Sequence, residues 1–145
     1  MKVLIDTSIL LPAIQENHPN HKIAADFVNS LLANHEIIVL NTYLVAELYN
    51  NLTKRPTTTN ERIHFVHNLL KSISERFEGI ELSMEDYLTA VERCATLKMK
   101  GGVIYDALHF QAAIKAGVDI LYTSNIRDFE RLVTDEISFR VESPY

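Results

Sequence analysis

The chain has 145 residues, 47% of them hydrophobic, which predicts one globular domain over residues 1–145 with a substantial core. Its net charge of −5 excludes binding of a polyanion through bulk charge alone, because that requires a strongly basic surface. Its single cysteine, Cys94, excludes an internal disulfide framework and a multi-cysteine zinc site.

Short apolar runs and apolar residues with helical spacing divide the first half of the chain into alternating strands and helices. Polar stretches, glycine and proline mark the boundaries between them. The predicted elements of this half are, in order, a strand over 2–6, a helix over 8–14, a helix from Asn20 to about 35, a strand over 37–40, a helix between Asn41 or Thr42 and Lys54, and a helix from the 57–60 stretch to Gly79.

The second half continues the alternation and contains the Gly101-Gly102 break, the clearest flexible point of the chain. The predicted elements here are a strand over 80–82, a helix from the capping pair Ser83 and Asp86 to about Lys98, a helix over 103–116 ended by Gly117, a strand over 120–123, a helix over about 126–134 and a last strand over 137–141. Strands separated by helices favour right-handed crossovers. The order therefore predicts an α/β fold, with a central, mainly parallel sheet of four to five strands and helices on both faces.

The amino terminus passes at once into the first predicted strand, with no apolar stretch that resembles a signal peptide. No apolar segment approaches the ~20 residues that a helix needs to span a bilayer. We therefore expect a cytoplasmic protein that does not associate with membranes.

Acidic side chains recur where strands end or where helices begin. Asp6 follows the first predicted strand, and Asn125 and Asp128 follow the strand over 120–123. Ligands of open parallel sheets bind outside the carboxyl ends of the strands. Glu47 and Asp106 lie near the starts of helices that leave the same edge. These residues are therefore expected to converge on one site.

Each acid also has an ordinary structural explanation. Asp6 could cap the helix that follows it, and Asp106 and Asp128 could favour the first turn of their helices through the helix dipole. Glu47 could be one of the many glutamates on helix surfaces. The functional interpretation requires all four acids to point toward one place. Residues that only cap separate helices would not be expected to converge.

Several carboxylates in one pocket suit a hard divalent cation such as Mg²⁺ or Mn²⁺. Such ions take oxygen ligands and need only one or two direct carboxylates beside water and substrate phosphate. Without the ion, the acids would raise one another's pKa values. A bound ion would activate water for attack on a phosphodiester. The pattern predicts metal-dependent phosphodiester hydrolysis and leaves open whether one or two ions bind.

Four segments, read in order, resemble those of PIN-domain ribonucleases, in particular the VapC-like toxins of toxin–antitoxin pairs. They are Asp6-Thr7-Ser8, Ala46-Glu47-Leu48, Tyr105-Asp106-Ala107-Leu108-His109, and the stretch from Thr123 through Asn125 and Asp128 to Phe129. The resemblance covers almost the whole chain. It implies a three-layer α/β/α domain with Mg²⁺- or Mn²⁺-dependent endoribonuclease activity on RNA. It also implies a homodimer silenced by a small antitoxin protein that inserts a segment near the active site.

The resemblance also assigns site residues. Asp6, Glu47 and Asp106 match the three core acids, which hold metal and carry catalysis, and Asp128 matches a further acid. Asn125 stands where many members of the family have a fourth acidic metal ligand. That departure removes one negative charge and would weaken a second metal site more than the first.

Candidate substrate contacts are the hydroxyls Thr7 and Thr123 and the basic side chains Lys54, Arg55 and Arg127. The two threonines match family positions that contact metal-bound water or a carboxylate, and they could equally be strand-end caps. Lys54, Arg55 and Arg127 belong to segments that also carry proposed ligands. Arg127 is the strongest candidate among them for a phosphate contact.

Three ring side chains near these acids allow two interpretations each. Tyr43 and Tyr105 could stack on a splayed base of single-stranded RNA, or belong to the core. His109 lies one turn after Asp106, and we expect a hydrogen-bonded structural histidine there, since metal-dependent hydrolysis needs no histidine base.

Two other classes of function compete with the nuclease. A phosphatase of the haloacid-dehalogenase type also uses an aspartate at the end of its first strand, but needs a second one two residues later, where this chain has Ser8. A non-catalytic PIN-like module would keep the acids as caps and bind RNA or protein without cutting. DNA cleavage is a further alternative, although structure-specific PIN nucleases carry added elements.

Overall fold

The computed structural model describes residues 1–134 and 136–145, which form five strands and seven helices. The strands are β1 (Lys2–Ile5), β2 (Ile37–Asn41), β3 (Glu78–Ile80), β4 (Ile120–Tyr122) and β5 (Arg140–Glu142). The helices are α1 (Thr7–Ile14), α2 (His21–Ala33), α3 (Tyr43–Thr53), α4 (Asn60–Arg76), α5 (Met84–Thr96), α6 (Val103–Ala116) and α7 (Ile126–Glu130).

The sheet has the strand order β3-β2-β1-β4-β5, and every pair is parallel. Val3 of β1 is paired with Ile38 on one side and with Ile120 on the other. The chain order runs outward in opposite directions from β1, so the topological switch point lies between β1 and β4. In doubly wound sheets, such a point opens a crevice at the carboxyl edge of the strands. The predicted α/β class is confirmed.

Successive residues of the central strands face two separate cores. Val3 and Ile5 belong to one core with buried residues of α1 to α4, whereas Leu4 lies in the other with residues of α5, α6 and α7. In β2, Ile38 faces the first core and Val39 the second. This alternation is the reason that residues 3–5 of β1 and 37–40 of β2 are apolar at every position, and it confirms the three-layer arrangement.

The two edge strands lie at different positions from those predicted. β3 occupies Glu78–Ile80, so Gly79 lies within the strand, and α4 already ends at Arg76. β5 occupies Arg140–Glu142, so it begins three residues later and ends one residue later than the predicted strand over 137–141. No residue of either strand is fully buried, so their sequences lack the apolar run that marks a buried strand.

The last helix is shorter than predicted. α7 ends at Glu130, and Leu132 continues the chain in a turn, with its amide bonded to the carbonyl oxygen of Phe129. Leu132 and Phe139 are buried in the second core although neither lies in a helix or strand. Their apolar character comes from packing of a loop, which explains why periodicity extended the helix too far. Among the described residues, no helix combines the length and apolar composition that crossing a bilayer would require.

Candidate active site

The carboxyl ends of β1 and β4 bring two polar residues together at the centre of the sheet. Ile5 pairs with Tyr122, and the amide of Asp6 donates to the carbonyl oxygen of Tyr122. Asp6 and Thr123, the first residues after the two strands, are therefore neighbours. Both are buried, at 2% and 0% exposure. This is the crevice that the strand order predicts.

Asp6 is held by hydroxyl groups. Its Oδ1 accepts from the Ser8 hydroxyl at 2.6 Å and its Oδ2 from the Thr123 hydroxyl at 2.7 Å. Although Asp6 occupies the N-cap position of α1, its side chain makes no capping hydrogen bond. The hydrogen bonds of the Asp6 carboxyl that the geometry shows come from Ser8 and Thr123. Burial raises the pKa of Asp6, and the positive charge of His109 and the two hydroxyl hydrogen bonds offset only part of that rise.

Glu47, on α3, is bound by residues from two other elements. Its Oε2 accepts from the Thr7 hydroxyl at 2.5 Å and from His109 Nε2 at 2.7 Å. Burial alone would raise the pKa of Glu47, but the hydrogen bond and charge of His109 and the Thr7 hydroxyl outweigh it and lower that pKa. The Glu47 side chain therefore stays ionised and faces the site instead of the solvent-facing side of α3.

The pKa of Asp106, in the first turn of α6, is affected by the charges of the other acids. Burial and the negative charges of Asp6, Asp128 and Glu47 raise the pKa of Asp106 to about 6, against an opposing effect of His109. A carboxyl group that responds to three other carboxylates lies in the same region as they do. Asp6, Glu47 and Asp128 therefore lie within electrostatic range of Asp106.

Asn125 and Asp128 lie at the rim of this cluster. The Asn125 amide donates to the Thr123 hydroxyl at 2.9 Å, while its side chain is exposed and makes no capping bond. The Asp128 side chain is 48% exposed and lies 3.8 Å from Arg131. Both side chains are free to meet a ligand that enters from solvent.

The donor chemistry of the cluster fits a hard divalent cation. The carboxylates offer oxygen atoms, and burial together with the neighbouring carboxylates raises the pKa of Asp106, a cost to the ionised form that a bound cation would offset. Within residues 1–134 and 136–145, however, no three or more His, Cys, Asp or Glu side chains form a ready-made cage. Water and substrate oxygens would have to complete the coordination, as Mg²⁺ commonly allows. Asp6, Glu47 and Asp106 are the residues that could hold the ion.

The basic candidates are less close to the acids. Arg127 is exposed on α7 next to Asp128. Lys54 donates to the side chain of Asn51 at 3.0 Å, and it follows Glu47 by seven residues, about 10 Å along the helix axis. Arg55 lines a separate polar cleft at the end of α3. Arg127 is therefore the candidate that is adjacent in sequence to an acid of the site.

Two residues of the site gain roles that the sequence did not predict. Ser8, to which the sequence assigned no role, donates its hydroxyl hydrogen bond to Asp6. His109 is a buried, hydrogen-bonded histidine as expected, but its partner is the candidate ligand Glu47. The three-residue spacing of Asp106 and His109 places both on one face of α6, which is the signal that could have indicated this.

The fold and the site together define a class: a doubly wound, parallel α/β domain with an acidic cluster at its switch point. A family model described as PIN domain matches residues 3–134. The chain belongs to the PIN domain family. No curated protein matches the sequence significantly.

Solved structures with the same fold cover nearly the whole chain at low sequence identity. VapBC2 from Rickettsia felis, bound to a DNA fragment from its promoter, has a TM-score of 0.70 and 20% identity, over 99% of this chain and 98% of that one. VapBC-1 from nontypeable Haemophilus influenzae has a TM-score of 0.69 and 21% identity, with the same coverage. VapC20 of Mycobacterium tuberculosis, a sarcin-ricin loop cleaving toxin, has a TM-score of 0.69 and 16% identity, over 93% and 98%.

Proposed function

We propose that the protein is a Mg²⁺- or Mn²⁺-dependent endoribonuclease and the toxin of a toxin–antitoxin pair. The observation that carries this proposal is the geometry of the acids in a chain of the PIN family: Asp6 is buried at the switch point of the sheet, and Glu47 is bound to Thr7, beside Asp6, and to His109, one turn after Asp106. Acids that repel one another at a sheet edge cost stability, and a cation that accepts phosphodiester oxygens would relieve that cost.

Each acid has a distinct role in the proposed reaction. A bound divalent ion would supply Lewis acidity and lower the pKa of a water molecule for in-line attack. Asp6 and Asp106 would hold the ion, with Glu47 on α3 as the third acid of the set. Asp128, at the exposed rim, would orient the attacking water through its carboxylate. Asn125 would offer an amide oxygen without charge, which favours one ion over two.

RNA binding is proposed to use a few local contacts, because the net charge of −5 provides no general attraction. Arg127 pairs with a phosphate beside Asp128. Tyr105 precedes Asp106, is 47% exposed, and stacks on Tyr43 with ring centroids 5.5 Å apart and an interplanar angle of 8°. Such a ring offers a surface for an unpaired base, so the substrate is a single-stranded segment or loop.

The proposed partners are a small antitoxin protein and a second copy of the chain. The VapBC structures support the antitoxin, since they are complexes with antitoxin partners and share the fold of this chain. The second copy is supported by α5, where Met84, Leu88 and Val91 are 77%, 60% and 49% exposed on one face of the helix. An apolar stripe of this kind is covered in an assembly more often than left in water. A cytoplasmic location remains a prediction.

The decisive experiment measures cleavage by the purified protein. A mixture of RNAs is incubated with Mg²⁺, with Mn²⁺ and with chelator, and the new 5′ ends are sequenced. We expect metal-dependent cleavage that Asp6→Asn and Asp106→Asn abolish. In a bacterium, induction of the protein should arrest growth, and the same variants should relieve the arrest.

Other outcomes would favour other functions. Binding of RNA without cleavage, unchanged by Asp6→Asn, would support the non-catalytic module. Cleavage of DNA but not RNA would identify a deoxyribonuclease. Growth arrest that persists in both variants would separate toxicity from the acidic site.

A further inference from the structure

One oxygen atom joins the three elements that carry the core acids. Glu47 Oε2, on α3, accepts from Thr7, which follows Asp6 at the end of β1, and from His109, one turn after Asp106 on α6. The residues that bind Glu47 are thus neighbours of the other two acids. The position of the Glu47 carboxylate is coupled to the positions of Asp6 and Asp106 through this atom.

The two oxygens of Glu47 have different environments. Oε2 accepts both hydrogen bonds, whereas Oε1 accepts none from the residues that the structure describes. Since a carboxylate oxygen can only accept, His109 Nε2 must carry the hydrogen that it shares with Glu47. The carboxylate is therefore held from one side, and the other oxygen is available to a ligand.

A purely structural role explains His109 poorly. The side chain is buried, and its Nδ1 has no hydrogen-bond partner among the described residues, so burying the ring leaves a polar atom unsatisfied. Leucine would fill the same space without that cost. The hydrogen-bond partners that the ring does have, Glu47 at 2.7 Å and the longer contact to Thr7 at 3.4 Å, belong to the acidic site.

We infer that His109 is a positioning residue. It donates to Glu47 Oε2, and together with Thr7 it fixes the carboxylate so that Oε1 is presented to the divalent cation. This inference rests on the proposed function, because it assumes that Glu47 serves the ion. Partners that orient a ligating carboxylate typically contribute tenfold to a hundredfold to metal affinity.

His109 could instead act only by its charge, and two substitutions separate these roles. His109→Gln keeps a donor at the position of Nε2 but can never be positive. His109→Leu removes the donor and keeps the apolar contacts. If His109 acts by orienting Glu47, His109→Gln retains most of the affinity for the cation. If charge is what matters, the two variants are equally impaired.

The experiment compares wild type, His109→Gln, His109→Leu and Asp6→Asn. Mn²⁺ binding is measured by titration calorimetry on the metal-free proteins, thermal unfolding reports whether each variant folds, and RNA cleavage is followed over a range of Mn²⁺ concentrations. We expect His109→Leu to bind Mn²⁺ at least tenfold more weakly than wild type and His109→Gln to stay within about threefold. Excess Mn²⁺ should restore cleavage by His109→Leu.

Thr7 provides a second test in case His109→Leu does not fold. Thr7→Val removes the other donor to Oε2, and Thr7→Ser retains it; the valine variant should lose Mn²⁺ affinity and the serine variant should not. Equal affinity of wild type, His109→Leu and Thr7→Val would overturn the inference. Absence of Mn²⁺ binding and cleavage in wild type would instead overturn the proposed function.

Discussion

The Thr123 hydroxyl donates to Asp6 Oδ2 at 2.7 Å, between residues that are 117 positions apart in the chain. The bond joins the first residues beyond two adjacent strands, and both residues are buried. Thr123 also accepts from the amide of Asn125, so one hydroxyl links the central acid to the start of α7. The geometry of the site and the stability of the domain therefore depend on the same contact.

The first prediction concerns this hydroxyl. Thr123→Val keeps the shape of the side chain but leaves the Asp6 carboxylate and the Asn125 amide without their shared partner. We expect the free energy of unfolding to fall by about 1–3 kcal/mol at pH 7, measured by urea denaturation. Thr123→Ser retains the hydroxyl and serves as the control. Equal stability of the valine variant and wild type would show that water replaces the hydroxyl.

The second prediction concerns Asp106 in the metal-free protein. Its folded-state pKa of about 6 exceeds the ordinary value of 3.8, so the folded chain binds this proton more tightly than the unfolded chain. The stability that this proton provides is present at low pH and is lost as pH rises from about 4 to about 6. Asp106→Asn removes that loss and should be more stable than wild type at pH 7 by about 1 kcal/mol, after discounting for partial exposure.

The prediction for Asp106 is checked by measuring the stability of both proteins as a function of pH and of added Mn²⁺. The difference in stability between Asp106→Asn and wild type should shrink as pH falls and reach its minimum below about pH 3, where Asp106 is protonated in both the folded and the unfolded chain. Mn²⁺ at 100 times its dissociation constant should stabilise wild type by about 2.7 kcal/mol and leave the variant unchanged. A variant less stable than wild type at pH 7 would contradict the repulsion that the structure indicates.

Much of the fold was accessible from the sequence because its central strands are buried on both faces. The unbroken apolar runs of β1 and β2 predicted parallel strands between two layers of helices, and that prediction is confirmed. The edge strands β3 and β5 were misplaced because each has one neighbour and an exposed face. Strand pairing, which the sequence does not display, decides their positions.

The acids of the site were accessible for a related reason. Asp6 lies directly beyond a recognisable strand, and Asp106 lies in a helix whose start is set by Gly101 and Gly102. The hydrogen bond from His109 to Glu47 could not be predicted from the sequence. The two residues are 62 positions apart, and their contact depends on how α3 and α6 pack. Spacing along one element can be derived from sequence, whereas contact between elements depends on the whole fold. The functional roles of these residues remain predictions.

The third prediction tests the stacked tyrosines as a contact for an unpaired base. In an Asp6→Asn background, which prevents cleavage, Tyr105→Leu should weaken binding of a single-stranded RNA oligomer by about tenfold, as expected for one base–aromatic stack. Tyr105→Phe keeps the ring and should bind like the background protein. Fluorescence anisotropy provides the dissociation constants, and equal affinity of all three proteins would remove Tyr105 from the binding surface.

The fourth prediction tests the apolar stripe of α5 as the contact between two copies of the chain. Leu88 is 60% exposed at the centre of the stripe, and a glutamate at this position would place a charge in a desolvated interface. We expect Leu88→Glu to convert a dimer to a monomer in light scattering coupled to gel filtration. Thr89→Glu adds the same charge beside the stripe and should remain dimeric. A wild-type protein that is monomeric at micromolar concentration would contradict the proposed dimer. If Leu88→Glu is monomeric and still cleaves RNA, each acidic site is complete within one chain.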